Sequence, residues 1–187
     1  MNHKGTVEIE TERLRLRRMR ESDAENAFNG WCNDPDVNKF LTWPLHGTVE
    51  TTKVLFASWV KEYSKDDYYH WAICFKDTDE IFGTISVVFV NEKAEFVEIG
   101  YCIAKKYWHQ GYTSEALKAL IPFFFDEVKV NSICLAHDIN NPNSGKVMVK
   151  CGLKLDGVLR QASRNNTGIC DIARYSMTKE DYLEKNN

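Results

Sequence analysis

The residues with the clearest chemical potential lie in one continuous stretch, residues 98–116. An apolar strand over 98–104 leads into a tight loop that contains Gly111, and an amphipathic helix begins directly after that loop. The free N–H groups of a first helical turn converge and carry the positive end of the helix dipole, so they suit an anionic phosphate. Three basic residues of the same loop add positive charge: Lys105, Lys106 and a protonated His109.

The same pattern has a simpler interpretation. Strand, loop and helix also follow one another around an ordinary helix start, with Thr113 or Ser114 as the N-cap residue. The loop matches neither the dinucleotide-binding pattern G-x-G-x-x-G nor a Walker loop, because the glycines and the terminal Lys-Ser/Thr are missing. From spacing alone, an ordinary capped helix is favoured over a phosphate-binding site.

Several stretches, taken together, resemble the GNAT superfamily of N-acetyltransferases. Residues 98–101 (EIGY) and 108–116 (WHQGYTSEA) resemble its acetyl-CoA motif. Residues 141–144 (NPNS) resemble the second signature of its RimJ/RimL-like branch, which includes ribosomal-protein-alanine acetyltransferases, and residues 11–17 (TERLRLR) are similar to the first strand of that branch. The resemblance covers about residues 8–178 and implies a single GNAT domain over that range.

The loop departs from the superfamily pattern, which usually has Gln or Arg first, Gly fourth, and Gly or Ala last. This chain has Trp108 in the first place and Thr113 in the last, and His109 stands where Gly is common. Thr113 brings an extra hydroxyl to the place where phosphate approaches closely. Because His109 has a side chain where glycine is common, the resemblance does not specify the backbone conformation of the loop.

The resemblance implies that acetyl-CoA binds in a gap between the strand that ends at Ala104 and the strand that begins near Ser132. Its pyrophosphate would lie on the backbone amides of six consecutive residues: His109, Gln110, Gly111, Tyr112, Thr113 and Ser114. The pantetheine arm would pair with the exposed strand edge around Cys102 and Ile103, as an added strand does. Asn141 would fix the neighbouring loop or contact pantetheine. No metal is implied.

The resemblance also implies that a primary amine attacks the thioester directly, in a ternary complex, while strand-edge N–H groups stabilise the oxyanion. The amine must first be neutral. At pH 7 this costs about 1.4 kcal/mol for an α-amine with a pKa near 8, and about 4.6 kcal/mol for a lysine with a pKa near 10.4.

Two residues are candidates for the proton transfers. Glu98 is the candidate base, because its strand borders the predicted gap. Ser144 is the candidate proton donor to the leaving thiolate. The alternatives are a surface or ion-paired strand carboxylate at position 98 and a helix-capping hydroxyl at position 144.

The rest of the chain supplies the elements that position this site. Period-two alternation and short apolar runs predict strands over 11–17, 71–75, 81–90, 96–104, 132–137, 153–160 and 168–177. Helical spacing predicts helices over 22–32, from 48 onward, over 112–127 with a kink at Pro122, and over 141–151, ended by Gly152. This order predicts an α+β fold: a mixed, mostly antiparallel sheet of about seven strands with helices on both faces.

Composition excludes several classes of protein. The chain has 187 residues, of which 43% are hydrophobic, so it is not disordered. Its net charge of −3 argues against a nucleic-acid binder. The longest apolar run, residues 119–125, is far shorter than the roughly 18 residues of a membrane span. Six scattered cysteines and the lack of a signal peptide fit reduced thiols. We therefore expect a cytoplasmic protein without nucleic-acid, membrane or metal partners.

Other functions are compatible with these residues. A non-catalytic acyl-CoA-binding sensor would use the same phosphate loop, and a plain structural α+β domain would have no affinity for acetyl-CoA. The acceptor, a protein N-terminus or a small-molecule amine, is not specified, because the pocket comes from variable loops. His46 lies in the region where the superfamily builds such pockets, although a structural role is favoured for it. A homodimer is the expected state if the chain self-associates.

Overall fold

Eight strands form one mixed sheet in the structure, a computed structural model that describes residues 1–186. They are β1 (Ile9–Glu10), β2 (Leu14–Arg17), β3 (His70–Phe75), β4 (Ile81–Asn91), β5 (Phe96–Ile103), β6 (Ser132–Asp138), β7 (Lys154–Asn165) and β8 (Gly168–Thr178). Their spatial order is β1-β2-β3-β4-β5-β6-β8-β7. Only β5 and β6 are parallel. The predicted mixed, mostly antiparallel sheet is confirmed, and the strand beyond the expected seven is the short β1.

Six α-helices surround the sheet: α1 (Ala24–Ala27), α2 (Pro35–Asn38), α3 (Val49–Glu62), α4 (Tyr112–Pro122), α5 (Pro142–Cys151) and α6 (Lys179–Asn186). Two of them continue as π-helices, α1 over Phe28–Cys32 and α4 over Phe123–Val128. Pro122 lacks the N–H that an α-helix needs, so the hydrogen-bond pattern changes at the predicted kink. No helix within residues 1–186 has the length and apolar character to cross a membrane.

Helices cover both faces of the sheet, as expected, and alternate residues of β3 show this directly. Trp71 and Ile73 are fully buried on one face, in the core that includes Leu120 of α4. Cys74 is buried on the other face, in a second core that includes Phe56 of α3. Because successive side chains of a strand point to opposite faces, one strand contributes to both cores.

The first helix does not begin at residue 22, as predicted, but follows a short 3-10 turn and starts at Ala24. Asp23 lies in a 3-10 turn, Glu21–Asp23, and its carboxylate accepts a hydrogen bond of 2.8 Å from the backbone N–H of Arg20. The same carboxylate accepts two bonds from the Arg17 guanidinium, 2.8 and 2.9 Å long. Burial alone would lower the pKa of Arg17, but Asp23 and Asp79 outweigh it and raise that pKa. This buried ion pair joins β2 to the first helical segment.

The feature that creates the site is the early separation of β5 and β6. Only residues 96–98 of β5 pair with residues 132–134 of β6, whereas β6 pairs with β8 along its whole length. A register shift in β4 between Val87 and Phe89 lies opposite the point of separation. Beyond Glu98, the β6-facing edge of β5 therefore has no strand partner, which is the gap that the sequence predicts.

Candidate functional site

A cavity of about 970 Å³ extends through the gap between β5 and β6. At one end it reaches the loop before α4, and at the other it reaches the segment between α2 and α3. All but one of the predicted site residues line it: Glu98, Cys102, Ile103, His109, Gly111, Tyr112, Thr113, Ser114, Asn141 and Ser144. The exception is Gln110, whose side-chain Nε2 donates a hydrogen bond to the Lys106 carbonyl at 2.9 Å.

The first turn of α4 lacks a side-chain cap. Gly111 is the N-cap residue, with left-handed φ and ψ of 83° and 0°, and no side-chain hydrogen bond caps the N–H groups of the turn among the described residues. Thr113 and Ser114 are buried within the helix, so the ordinary N-cap interpretation of these two residues is wrong. His109 also has a left-handed φ of 62°. Left-handed residues in such a loop turn backbone N–H groups inward, which makes an anion-binding concavity.

Two cations that the sequence analysis missed converge on this loop. A Cβ atom placed on Gly111 would lie 3.5 Å from Lys150 Nζ and 3.7 Å from Arg13 Nη2. Glu115 holds the Arg13 guanidinium in an ion pair of 2.6 Å, and the guanidinium lies 4.2 Å from the centre of the Tyr112 ring. Burial raises the pKa of Glu115, but bonds from Thr11 and Arg13 outweigh it and lower that pKa. Uncapped N–H groups between two cations fit the phosphates of acetyl-CoA.

The free edge of β5 offers backbone groups to the gap. Ala104 N–H donates to the Phe82 carbonyl of β4 at 2.8 Å. Because backbone groups alternate between the two sides of a strand, the N–H groups of Tyr101 and Ile103 face the gap, and that of Cys102 faces β4. Cys102 lines the cavity with its side chain instead, and burial raises its pKa to about 11.

Trp108 connects this strand to the phosphate loop. Its indole N–H donates to the Ile103 carbonyl at 3.1 Å. The bond fixes the position of the loop relative to the end of β5, and it gives a structural reason for tryptophan in the first place of the motif.

Glu98 lies in the last pair that joins β5 to β6, opposite Cys134. Its neighbours Val97 and Ile99 are buried in the core beside α4, so the Glu98 side chain points to the opposite face of the sheet. No described residue forms a hydrogen bond or ion pair with its carboxylate, although Arg174 on β8 interacts with its charge. Glu98 is therefore not an ion-paired strand carboxylate within the described part of the chain.

Ser144 and Tyr101 bridge the gap. Ser144 Oγ donates to Tyr101 Oη at 3.1 Å, and Tyr101 Oη donates to the Ser144 carbonyl at 2.9 Å. Burial raises the pKa of Tyr101, against the effect of the Ser144 bond, so the phenol stays protonated at neutral pH. Asn141 is the N-cap residue of α5, yet its side chain does not cap the helix. The side chains of Asn141 and Ser144 therefore do not cap the helix, and both residues line the cavity.

Comparison with known proteins identifies the family. The family described as "Acetyltransferase (GNAT) domain" matches residues 13–154, which is most of the chain. The chain belongs to the GNAT acetyltransferase family. This assignment confirms the RimJ/RimL-like resemblance, the single α+β GNAT fold and an N-acetyltransferase activity that uses acetyl-CoA as the donor.

Relatives of this GNAT chain cover nearly its whole length. It is 29% identical over 171 residues to the uncharacterized N-acetyltransferase YoaA of Bacillus subtilis (strain 168), covering 91% of this chain and 96% of that one. It is 26% identical over 174 residues to the ribosomal-protein-serine acetyltransferase of Escherichia coli (strain K12), covering 91% and 95%. A GNAT-family acetyltransferase from Bacillus anthracis has the same fold, with a TM-score of 0.81 at 24% identity over 93% of this chain and 99% of that one.

Proposed function

We propose that this acetyltransferase transfers the acetyl group to a primary amine, on a protein N-terminus or a small molecule, by direct attack in a ternary complex. The observation that carries the proposal is the unpaired Glu98 carboxylate, which lines the cavity at the point where β5 and β6 separate. A protein acceptor is supported by the Escherichia coli relative, a ribosomal-protein-serine acetyltransferase.

In the proposed complex, the phosphates bind between Arg13, Lys150 and the first turn of α4. Acetyl-CoA supplies an activated acetyl thioester. The N–H groups of Tyr101 and Ile103 face the gap, where they are positioned to pair with the pantetheine arm and to polarise the acetyl carbonyl.

Glu98 acts as the base. Its carboxylate accepts a proton from the ammonium group of the acceptor, directly or through one water, and leaves the neutral amine that attacks. After the attack the nitrogen carries one proton more than the amide needs, and this second proton passes to solvent. An α-amine with a pKa near 8 requires only about 1.4 kcal/mol for this step at pH 7, so a carboxylate base is sufficient.

Ser144 acts as the acid. Its Oγ proton passes to the leaving thiolate, and the Tyr101 hydroxyl, 3.1 Å away, returns a proton to Ser144 Oγ. Solvent then restores the proton of Tyr101. The two hydroxyl groups thus form a short relay across the gap.

The GNAT domain is proposed to cover residues 8–178, the chain to work in the cytoplasm without binding nucleic acid or membranes, and any self-association to give a homodimer.

The test of the proposed base is Glu98→Gln, with Glu127→Gln as a matched control on an exposed residue. We expect kcat/KM to fall about 10²–10⁴-fold in Glu98→Gln while the Kd for acetyl-CoA is unchanged, and we expect the control to behave as wild type. Raising the pH should recover part of the loss, because more of the amine is then neutral. Wild-type turnover of Glu98→Gln at pH 7 would show that the base is another residue or solvent.

A further inference from the structure

We place the acceptor at the end of the cavity that reaches the segment between α2 and α3. Three adjacent strands form the floor of this end. His70 of β3 is the register partner of Ser86 of β4, which in turn is the partner of Gly100 of β5. These three residues therefore share one face of the sheet. Glu98 lies two residues before Gly100 on the same face, about 7 Å along the strand. Gly100 has no side chain, and Val88 Cγ1 lies 3.1 Å from the position that its Cβ would occupy, so Val88 covers Gly100 beside Glu98.

Aromatic side chains form the walls above this floor. The Trp59 ring lies 4.5 Å from the His70 ring, measured between centroids, and the Tyr68 hydroxyl is 3.0 Å from His70 Nδ1. The Trp43 ring lies 5.2 Å from the His46 ring, and His46 Nδ1 is 2.8 Å from Thr52 Oγ1 of α3, the helix that carries Trp59. All five ring-bearing side chains line the cavity. We refer to the part of the cavity that these five side chains line as the aromatic chamber.

The aromatic chamber carries little charge. Burial lowers the pKa of His70 to about 3 and lowers that of His46 as well, so both rings are neutral at pH 7. Two further carboxylates line the cavity, and both already have an ion-pair or hydrogen-bond partner within the protein. Asp36 pairs with Lys105 at 2.5 Å, and Asp138 accepts bonds from Asn140 and Asn165. Among the described residues that line the cavity, Glu98 is the carboxylate left unpaired.

A group of hydrogen bonds, which we call the latch, joins two segments that line the cavity. Asn166, at the tip of the hairpin between β7 and β8, places its side-chain Nδ2 within 2.8–2.9 Å of four oxygens in residues 38–43. Its backbone N–H also donates to the Leu41 carbonyl at 3.2 Å. Both the hairpin and residues 38–43 contribute to the cavity lining, so the latch restricts the width of an acceptor that enters between them.

We propose that the aromatic chamber binds a small primary amine carried on a planar aromatic group, with its amine directed at Glu98. This inference rests on the proposed function and names its acceptor class. Aromatic side chains bury a planar ring through stacked and edge-to-face contacts. A polyamine carries several ammonium groups and would need several free carboxylates, and the cavity lining offers one. A protein N-terminus would need a path for the following chain past the latch.

The test is acetyl transfer by the full chain to four amines: 2-phenylethylamine, propylamine as its ring-free counterpart, spermidine, and a peptide that begins with serine. We expect kcat/KM for 2-phenylethylamine to exceed that for each of the others by about 10- to 100-fold, because an apolar pocket gains about this much from burying a ring. If spermidine or the peptide is the best acceptor, the inference is wrong and the proposed function stands. If no amine is acetylated, the proposed function itself fails.

A second variant separates recognition of the ring from a structural effect. Trp59→Leu keeps an apolar side chain but removes the aromatic face. It should raise KM for 2-phenylethylamine about tenfold and leave KM for propylamine and the Kd for acetyl-CoA nearly unchanged. The matched control is Val54→Ala on the same helix, at a side chain that is 73% exposed, and it should change neither KM. An equal rise in KM for both amines would refute recognition of the ring.

Discussion

Gly111 tests the location of the cofactor phosphates, and the structure gives the size of the effect expected for Gly111→Val. The residue has a φ of 83°, where a side chain costs roughly 1–2 kcal/mol of stability. The added Cβ would lie 3.5 and 3.7 Å from the cations of Lys150 and Arg13, which is ordinary van der Waals contact, so the chain should still fold. The valine would, however, fill the space between these cations.

The expected result is a loss of affinity for acetyl-CoA. One charge-assisted hydrogen bond contributes about 1.5–3 kcal/mol, so losing one bond to phosphate weakens binding about 10- to 150-fold. Isothermal titration calorimetry measures this Kd, and thermal unfolding measures the stability. Gly168→Val is the control, since Gly168 also has a positive φ, 113°, and no atom lies within 4 Å of its added Cβ. Unchanged affinity in Gly111→Val, or an equal loss in the control, would refute this location.

Three further predictions concern the acid, the buried ion pair and a buried histidine. Ser144→Ala should lower kcat only about tenfold without changing the Kd for acetyl-CoA, because a thiolate with a pKa near 8.5 already leaves readily; an unchanged kcat would exclude Ser144 as the acid. Arg17→Met should reduce the free energy of unfolding by about 3–5 kcal/mol in urea titrations, because it leaves Asp23 buried and unpaired; a loss below 1 kcal/mol would contradict this. The wild-type chain should lose about 2 kcal/mol of folding stability between pH 7 and pH 5 because of His70. In the unfolded chain this histidine has a pKa near 6.5 and binds a proton over that interval. In the folded chain its pKa is about 3, so it stays neutral. His70→Phe should be less sensitive to pH over that interval by a similar amount, and an identical pH dependence would show that His70 is not responsible.

Local sequence patterns predicted most of the fold because strand alternation and helical spacing are local signals. The meander of β3 to β5, the helix α5 and the left-handed Gly152 that ends it are where the sequence predicts them. The short β1 has only two residues and shows no alternation that could reveal it. Asp23 has the residue type of a helix cap, but its role depends on Arg17, which tertiary structure brings to it.

The candidate site was predictable only where its residues are close in sequence. Residues 98–116 carry the strand edge and the phosphate loop together, so their chemistry could be inferred from one segment. Arg13 binds Glu115, which is 102 residues away, and Lys150 approaches the same loop from α5. No local pattern reports such contacts. The latch between Asn166 and residues 38–43 was equally inaccessible, since it spans more than 120 residues.

We propose that acetyl passes directly from acetyl-CoA to an amine at the gap between β5 and β6. The most direct measurement is mass spectrometry of protein, CoA and amine, with the full chain mixed first with acetyl-CoA alone and then with the amine panel. We expect one acetylated amine for each CoA released, no release above the solvent background before amine is added, and an unchanged protein mass. Binding of acetyl-CoA without acetylation of any amine, or an acetylated protein before amine is added, would contradict it.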